Sequence, residues 1–239
     1  MLLLRVAIIG GGASGLVCAC VLANSSKIDV TVFEKNERVG KKLLSTGNGR
    51  CNMTNLSASP KDYFEAADFV STALEKYPPE SNIAFFESLG LFSRSDSEGR
   101  VYPLSNQASS VLDALRLECE RLGVRFNCSS NVGRVEKKNG VYVVDGRGGF
   151  EKIVFACGSK SAVRDFDSYS LLAPFGHTAT KTAPALVRLV TDDKAANQLK
   201  GIRASVSMTL RTKEKKVAFA EGELQFADSS LSGIVSMEL

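Results

Sequence analysis

The chain has 239 residues, 44% hydrophobic and 23% charged, a globular composition that excludes a disordered or fibrous protein. Its 30 Lys and Arg against 26 Asp and Glu give a formal net charge of +4, with the signs interleaved, so neither a nucleic-acid partner nor a charged steering face is indicated. No stretch approaches the ~20 apolar residues of a membrane span, and at ~100–200 residues per domain the length suits one large domain, or one domain and part of another.

The apolar run from Leu2 to Ile9 is interrupted by Arg5, runs into glycines and has no basic segment ahead of it. It is therefore read as a buried parallel strand over Leu4 to Ile9 rather than as a secretory leader, although Val17-Cys18-Ala19-Cys20 imitates a lipoprotein cleavage site. Gly10-Gly11-Gly12-Ala13-Ser14-Gly15 follows and satisfies G-x-G-x-x-G. A helix is expected over Leu16 to Ala23, broken by Asn24-Ser25-Ser26, and then a second strand, Val30 to Phe33, ending in Glu34.

Each spacing has a physical reason. Gly10 permits a tight turn out of the strand, Gly12 lets backbone approach a pyrophosphate, and Gly15 lets helix and strand pack closely. Gly10, Gly12, Ala13, Ser14 and Gly15 would hold the phosphates at the positive end of the helix. Glu34 falls where a carboxylate can accept both hydroxyls of an adenosine ribose, and its charge repels a 2′-phosphate. FAD or NAD is thus favoured over NADP at this site.

The segment from Glu34 to Leu43 is basic and leads into Ser45-Thr46-Gly47-Asn48-Gly49-Arg50-Cys51-Asn52-Met53-Thr54-Asn55, a donor-rich loop suited to wrapping a polar ligand. The glycine motif, Glu34-Lys35, Gly40-x-Lys42-Leu43 and above all Gly47-Asn48-Gly49-Arg50-Cys51-Asn52-x-Thr54-Asn55 together resemble the BaiN/YhiN-like family of bacterial three-domain NAD(P)/FAD-dependent oxidoreductases, which includes aminoacetone-oxidase-like members. The resemblance continues at Gly99-Arg100-Val101-Tyr102-Pro103. It extends to the helix expected over Ser109 to Leu122, where Val111, Leu112, Leu115, Cys119 and Leu122 mark a buried face and Gly123 a cap.

A strand over Val124 to Cys128 comes next, then one beginning at Asn131-Val132. Val132 to Lys138 is expected to pair with Val141 to Val144 across Asn139-Gly140, a type I′ hairpin signal. Ile153 to Gly158 resembles the family's A-T-G-G strand end. Arg164-Asp165-Phe166-Asp167-Ser168-Tyr169 keeps an Asp and a Tyr of the family's G-x-x-G-D-G-Y string and loses its glycines, whereas Gly176-His177 and Pro184-Ala185-Leu186-Val187 restore the pattern. Beyond Leu189 the alternation from Arg203 to Arg211, continued at Val217 to Phe219 and Glu223 to Phe226, is β-like, with Lys213 to Lys216 as a charged hairpin turn.

The resemblance implies an α/β fold: a Rossmann-like, glutathione-reductase-like FAD-binding domain with a parallel sheet and helices over residues 1–188, followed by the start of a β-rich inserted domain over 189–239. It implies FAD as cofactor, NAD(P)H as reductant, hydride or two-electron transfer through flavin N5, and a small-molecule substrate. Lys35, Lys42 and Arg50 would offset phosphate charge. Cys51 and Asn52 would lie toward the ribityl or flavin end, Val132 at the adenine, and Ala156, Cys157 and Gly158 under the dinucleotide, with Gly49 also counted among the cofactor-binding residues. The family's second cofactor motif, A-G-E-x-x-D-x-x-G-x-x-G-G-Y-N, is absent, so the chain matches only the earlier part of the family pattern.

Two other readings stand beside this one, a Rossmann dehydrogenase with NAD as its only cofactor and a non-catalytic fragment that keeps the dinucleotide fold. Cys18, Cys20, Cys51, Cys119, Cys128 and Cys157 contain no C-x-x-C pair, and His177 is the only histidine. Neither a metal site nor a disulfide framework is expected, and a reducing cytoplasm suits the chain. His177, after a helix-like stretch and Gly176, reads as structural. No residue has a partner at a spacing that implies proton transfer, so no catalytic residue is named.

Overall fold

The computed structural model describes residues 3–159, 168–183, 187–213 and 215–239, and of residues 64 and 65 the backbone alone. The Arg164-to-Asp167 string, Pro184 to Leu186 and Glu214 lie outside the described residues. The chain clusters into two compact units, Met1–Thr178 and Ala179–Leu239.

In the first unit the elements run β1 (Leu4–Ile9), α1 (Ala13–Ala23), β2 (Ile28–Phe33), β3 (Thr54–Asn55), α2 (Ala67–Lys76), α3 (Pro79–Ser88), β4 (Ser93–Ser95), β5 (Arg100–Pro103), α4 (Ala108–Arg121), β6 (Arg125–Asn127), β7 (Val135–Lys138), β8 (Val141–Val144), β9 (Arg147–Phe150) and β10 (Lys152–Phe155). The main sheet has the order β10-β1-β2-β6 and is parallel at every pairing. A parallel sheet needs cover on both faces, and the β1 run supplies apolar residues to each. Val6 and Ile8 join Val30 and Val32 against Leu16 and Ala19 of α1 and Val111 and Leu115 of α4. Ala7, Ile9 and Phe33 face the opposite way and pack with Val135, Val144, Phe150 and Leu171.

Helix α4 buries the stripe expected of it, Val111, Leu112, Leu115 and Cys119, with Leu122 half-buried just beyond its end. Gly123 takes φ +75 and donates its N–H to the Glu120 carbonyl, which turns the chain back into β6. Asn139 and Gly140 both have positive φ, as a type I′ turn requires, and join β7 to β8.

Asn131 and Val132 begin no strand, however, and the ladder opens only at Val135. The reason is local: the Asp145 carboxylate accepts from the Gly133 and Arg134 N–H groups at 3.2 and 2.8 Å, so those donors are taken before a strand can use them. The stretch before His177 is likewise no α-helix but a 3-10 turn, Ala173–Phe175, closed by Gly176 at φ +81, and His177 is exposed. Helices α2 and α3 and the small antiparallel sheet β3-β5-β4 have no counterpart in the expectations.

The second unit contains β11 (Leu189–Val190), α5 (Lys194–Gln198), β12 (Arg203–Thr212), β13 (Lys215–Ala227), β14 (Ser230–Ser232) and α6 (Ile234–Glu238). Its sheet, β11-β14-β13-β12, is antiparallel throughout. The β-like runs at 217–219 and 223–226 fuse into the single long strand β13. Ala204, Val206 and Met208 alternate half-buried with exposed neighbours, and Ala220, Leu224 and Val235 form the centre of a small core. Among the described residues no helix is long and apolar enough to cross a membrane.

Leu115 and Leu117 lie on one helix at 0% and 55% exposure. Leu115→Ala opens a cavity between α1, α4 and the sheet and is expected to cost about 2–5 kcal/mol, while Leu117→Ala stays within about 0.5 kcal/mol of the parent, both read from urea unfolding midpoints.

Candidate dinucleotide site

Three backbone segments converge where β1 ends. Gly10 takes φ +109, and a Cβ there would run into the backbone of Ala156 and Cys157. At Gly15 a Cβ would run into the Gly10 carbonyl. Glycine at these two positions therefore lets the first turn of α1 press against the β1 turn and the residues after β10. Gly12 differs, because a Cβ there would meet nothing within 4 Å. The space beside it is open, as a ligand site requires.

Gly12 is the N-cap of α1, and no side chain caps the helix or places a carboxylate in its first turn. Among the described residues the N–H groups of Ala13 and Ser14 and the Ser14 hydroxyl have no acceptor, and both residues are exposed. These orphan donors coincide with the positive end of the helix macrodipole, equivalent to about half an elementary charge. The arrangement fits a phosphate anion.

Glu34 stands at the end of β2, 7% exposed. Its Oε2 accepts from the Gly11 N–H at 2.8 Å, and its Oε1 accepts from the Asn36 N–H at 2.9 Å and from the Asn36 side-chain amide. The Glu34 carbonyl accepts from the Ser130 N–H at 2.8 Å. The carboxylate thus ties the glycine loop to its own strand end, and its main chain ties in the 129–132 segment. A shallow groove of about 40 Å³, open to solvent, runs past these groups and is lined by Gly10, Glu34, Lys35, Ser130, Val132 and Cys157 among others. The Cys157 thiol donates to the Ile9 carbonyl at 3.3 Å, and burial pushes its pKa up, so it stays protonated at neutral pH.

No residue of the Thr46-to-Cys51 loop lines this groove, and neither does Gly12, Ala13, Ser14 or Gly15. Gly47, Asn48, Gly49 and Cys51 all have positive φ, which curls the loop tightly enough for the Cys51 N–H to return to the Thr46 carbonyl at 3.0 Å. Cys51 turns its side chain into the core shared by α1 and α4, 7% exposed, where burial raises the thiol pKa. The Arg50 guanidinium stacks 4.7 Å from the centre of the Tyr102 ring while its Nε donates to the Gly47 carbonyl at 3.3 Å. Lys42, Gly49 and Asn52 are exposed. None of Lys42, Gly49, Arg50, Cys51 and Asn52 lines the Glu34 groove.

Asn52 instead edges a second cavity of about 370 Å³ with Thr54, Tyr63, Tyr77 and Asn82. Ala156 lies behind Gly10, and Gly158, at φ +75, accepts the Ser168 hydroxyl at 2.8 Å on its carbonyl. Sequence reasoning missed Asn36, although a side-chain amide two residues after an acid is a local bonding signal. It also missed the roles of Ser130 and Tyr102 and the part of the second cavity that comes from α2 and α3, for which no motif exists.

Residues 4–234 match the family model described as HI0933-like protein Rossmann domain. Over 238 residues the chain is 36% identical to the 3-dehydro-bile acid delta(4,6)-reductase of Clostridium scindens, covering 96% of this chain and 58% of that one. Over 240 residues it is 28% identical to the ribosomal RNA dihydrouridine synthase of Escherichia coli, covering 97% and 59% respectively. The chain therefore spans less than two thirds of the length of either relative. Among solved structures, glycine oxidase from Geobacillus kaustophilus aligns at a TM-score of 0.43 and 18% identity, over 73% of this chain and 59% of that one. By the extent of the family match, residues 4–234 of 239, the chain belongs to the HI0933-like Rossmann family.

Proposed function

We propose that the chain binds FAD through the Gly12 helix end and the Glu34 groove, and that it serves a flavoenzyme reducing a ring carbon–carbon double bond with electrons from NAD(P)H. The observation that carries the binding reading is the uncapped α1 N-terminus beside an open Gly12, with a buried carboxylate at the end of the next strand. The names of the two relatives, a delta(4,6)-reductase and a dihydrouridine synthase, both denote saturation of a ring double bond, which supports the reaction class. FAD, when bound, supplies two-electron chemistry at its N5 position.

The residues of this chain bind and orient. The Ala13 and Ser14 N–H groups and the Ser14 hydroxyl donate to the pyrophosphate, with Gly12 leaving room for it, and Lys35 and Lys42 offset its charge. Glu34 has about four acceptor sites on its two oxygens. Three are filled by Gly11 and Asn36, which leaves one on Oε2 for a ribose hydroxyl. A second hydroxyl takes the site now held by the Asn36 side-chain amide. Val132 and Cys157 wall the adenosine end, Ala156 and Gly158 bring backbone close to the dinucleotide, Arg50 adds to the positive charge that meets the phosphates, and Asn52 and the Cys51 backbone lie toward the flavin, with the Cys51 side chain held in the core.

The division into a flavin portion, 1–188, and the start of a β-rich insertion, 189–239, belongs to the same proposal, as does a reducing compartment, which suits six free thiols. The substrate is proposed to be a small molecule. The relative named for ribosomal RNA makes a uridine-containing oligonucleotide the second substrate to assay.

Titration of FAD into the purified chain, followed by anaerobic NADH or NADPH, tests both parts. Saturable binding followed by bleaching of the flavin band is expected. Failure to bind contradicts the site, and binding without bleaching by either nucleotide contradicts the reductant.

Gly12→Ala is expected to keep the parent unfolding midpoint while weakening FAD at least ~10-fold, because the methyl group occupies ligand space. Gly10→Ala loses stability as well, since φ +109 and the Ala156 backbone both exclude a side chain. In competition with FAD, ADP binds, and its 2′-phosphorylated analogue binds at least ~10-fold more weakly because of the Glu34 charge.

A further inference from the structure

Cys20 and Cys119 play no part in the dinucleotide site. They meet in the packing of α1 on α4, at 3% and 0% exposure, with their sulfurs 3.3 Å apart. Each thiol also reaches the main chain of the opposite helix: Cys20 Sγ donates to the Leu115 carbonyl at 3.5 Å, and Cys119 Sγ donates to the Leu16 carbonyl at 3.7 Å. Leu115 lies one helical turn before Cys119, and Leu16 one turn before Cys20, so the arrangement is reciprocal. Two thiol protons serve three contacts, and the sulfurs are held facing one another across a rigid helix pair.

We propose that this pair is an oxidation site, at which hydrogen peroxide joins Cys20 to Cys119 as a disulfide that staples α1 to α4. In the first step the Cys20 thiolate attacks a peroxide oxygen, the O–O bond breaks, and with one proton the products are a sulfenic acid and water. In the second the Cys119 sulfur displaces the hydroxyl from that sulfenic acid, which leaves as water with the Cys119 proton. Overall two thiols lose two electrons and two protons, and one peroxide is reduced to two waters.

The order of attack follows from the contact itself. A Cys119 S–H directed at Cys20 stabilises the Cys20 thiolate and lowers its pKa, while the same contact and burial raise that of Cys119. Access comes from position. Cys20 lies in the last turn of α1, which ends at Ala23, and Cys119 in the last turn of α4, which ends at Arg121, and terminal turns open more readily than helix centres. Peroxide is small enough to enter through such an opening. The bond would link residues 99 apart in sequence, a long loop whose closure restricts the unfolded chain.

The test starts on the unaltered chain. After peroxide treatment and alkylation of the remaining thiols, non-reducing peptide mapping is expected to show a Cys20–Cys119 cross-linked peptide with the mass loss of two hydrogens, reversed by dithiothreitol. The oxidised chain is expected to melt on the order of 5 °C higher than the reduced one, with the increment absent in Cys119→Ala. Oxidation of Cys18, Cys51, Cys128 or Cys157 while Cys20 and Cys119 remain alkylatable after unfolding overturns the proposal, as does a cross-link to any other cysteine.

Discussion

The structure depends on a contact that only glycine allows. Where β1 ends, the backbone of Gly10 lies against the backbone of Ala156 from one side and receives the first turn of α1, through Gly15, from the other. A single methyl group at either position would separate these segments. Because they touch, α1 starts directly over the end of the parallel sheet, and its free N–H groups point into solvent at the sheet's carboxyl edge. The phosphate-binding character of the loop is thus a consequence of how tightly three backbones pack, and the open space at Gly12 is what that packing leaves.

Glu34 is the second node, and its role is structural before it is anything else. One buried carboxylate holds the Gly11 N–H, the Asn36 backbone and the Asn36 amide, while the adjoining carbonyl holds Ser130. Three loops that border the groove are fixed through one residue. A buried carboxylate is stable only when its acceptor sites are filled, so the site is held in shape by protein donors. The ligand's hydroxyls then compete with Asn36 rather than with bulk water.

How far the sequence foretold this differs by element. β1, α1, β2 and α4 were legible because burial imposes its own period: an unbroken apolar run for a strand covered on both faces, and a repeating stripe for a helix covered on one. The Asn139-Gly140 turn was legible because few residues accept positive φ at both centres. Asp145-Gly146 carries the same kind of signal and makes the turn into β9, with φ +44 and +78, yet it went unread. Helix α2 was harder to read because it buries no residue fully: half-buried Ala67, Val70, Ser71 and Leu74 repeat at helical spacing, but the large apolar Phe69 is exposed and blurs that stripe.

Within the site, identity and direction separated. The glycine motif and Glu34 occupy the places their spacing implies. Cys51 and Arg50 belong to a specific motif, yet their side chains turn to the core and to Tyr102, an outcome set by positive φ at Cys51 and an aromatic ring just over fifty residues away. Spacing reports which residues share a loop, and long-range packing decides where they point. If the α1 N-terminus receives the pyrophosphate, a crystal structure of the chain with FAD will show phosphate oxygens within hydrogen-bond distance of the Ala13 and Ser14 N–H groups and a ribose hydroxyl on Glu34; a dinucleotide whose phosphates lie away from that helix end would overturn this assignment.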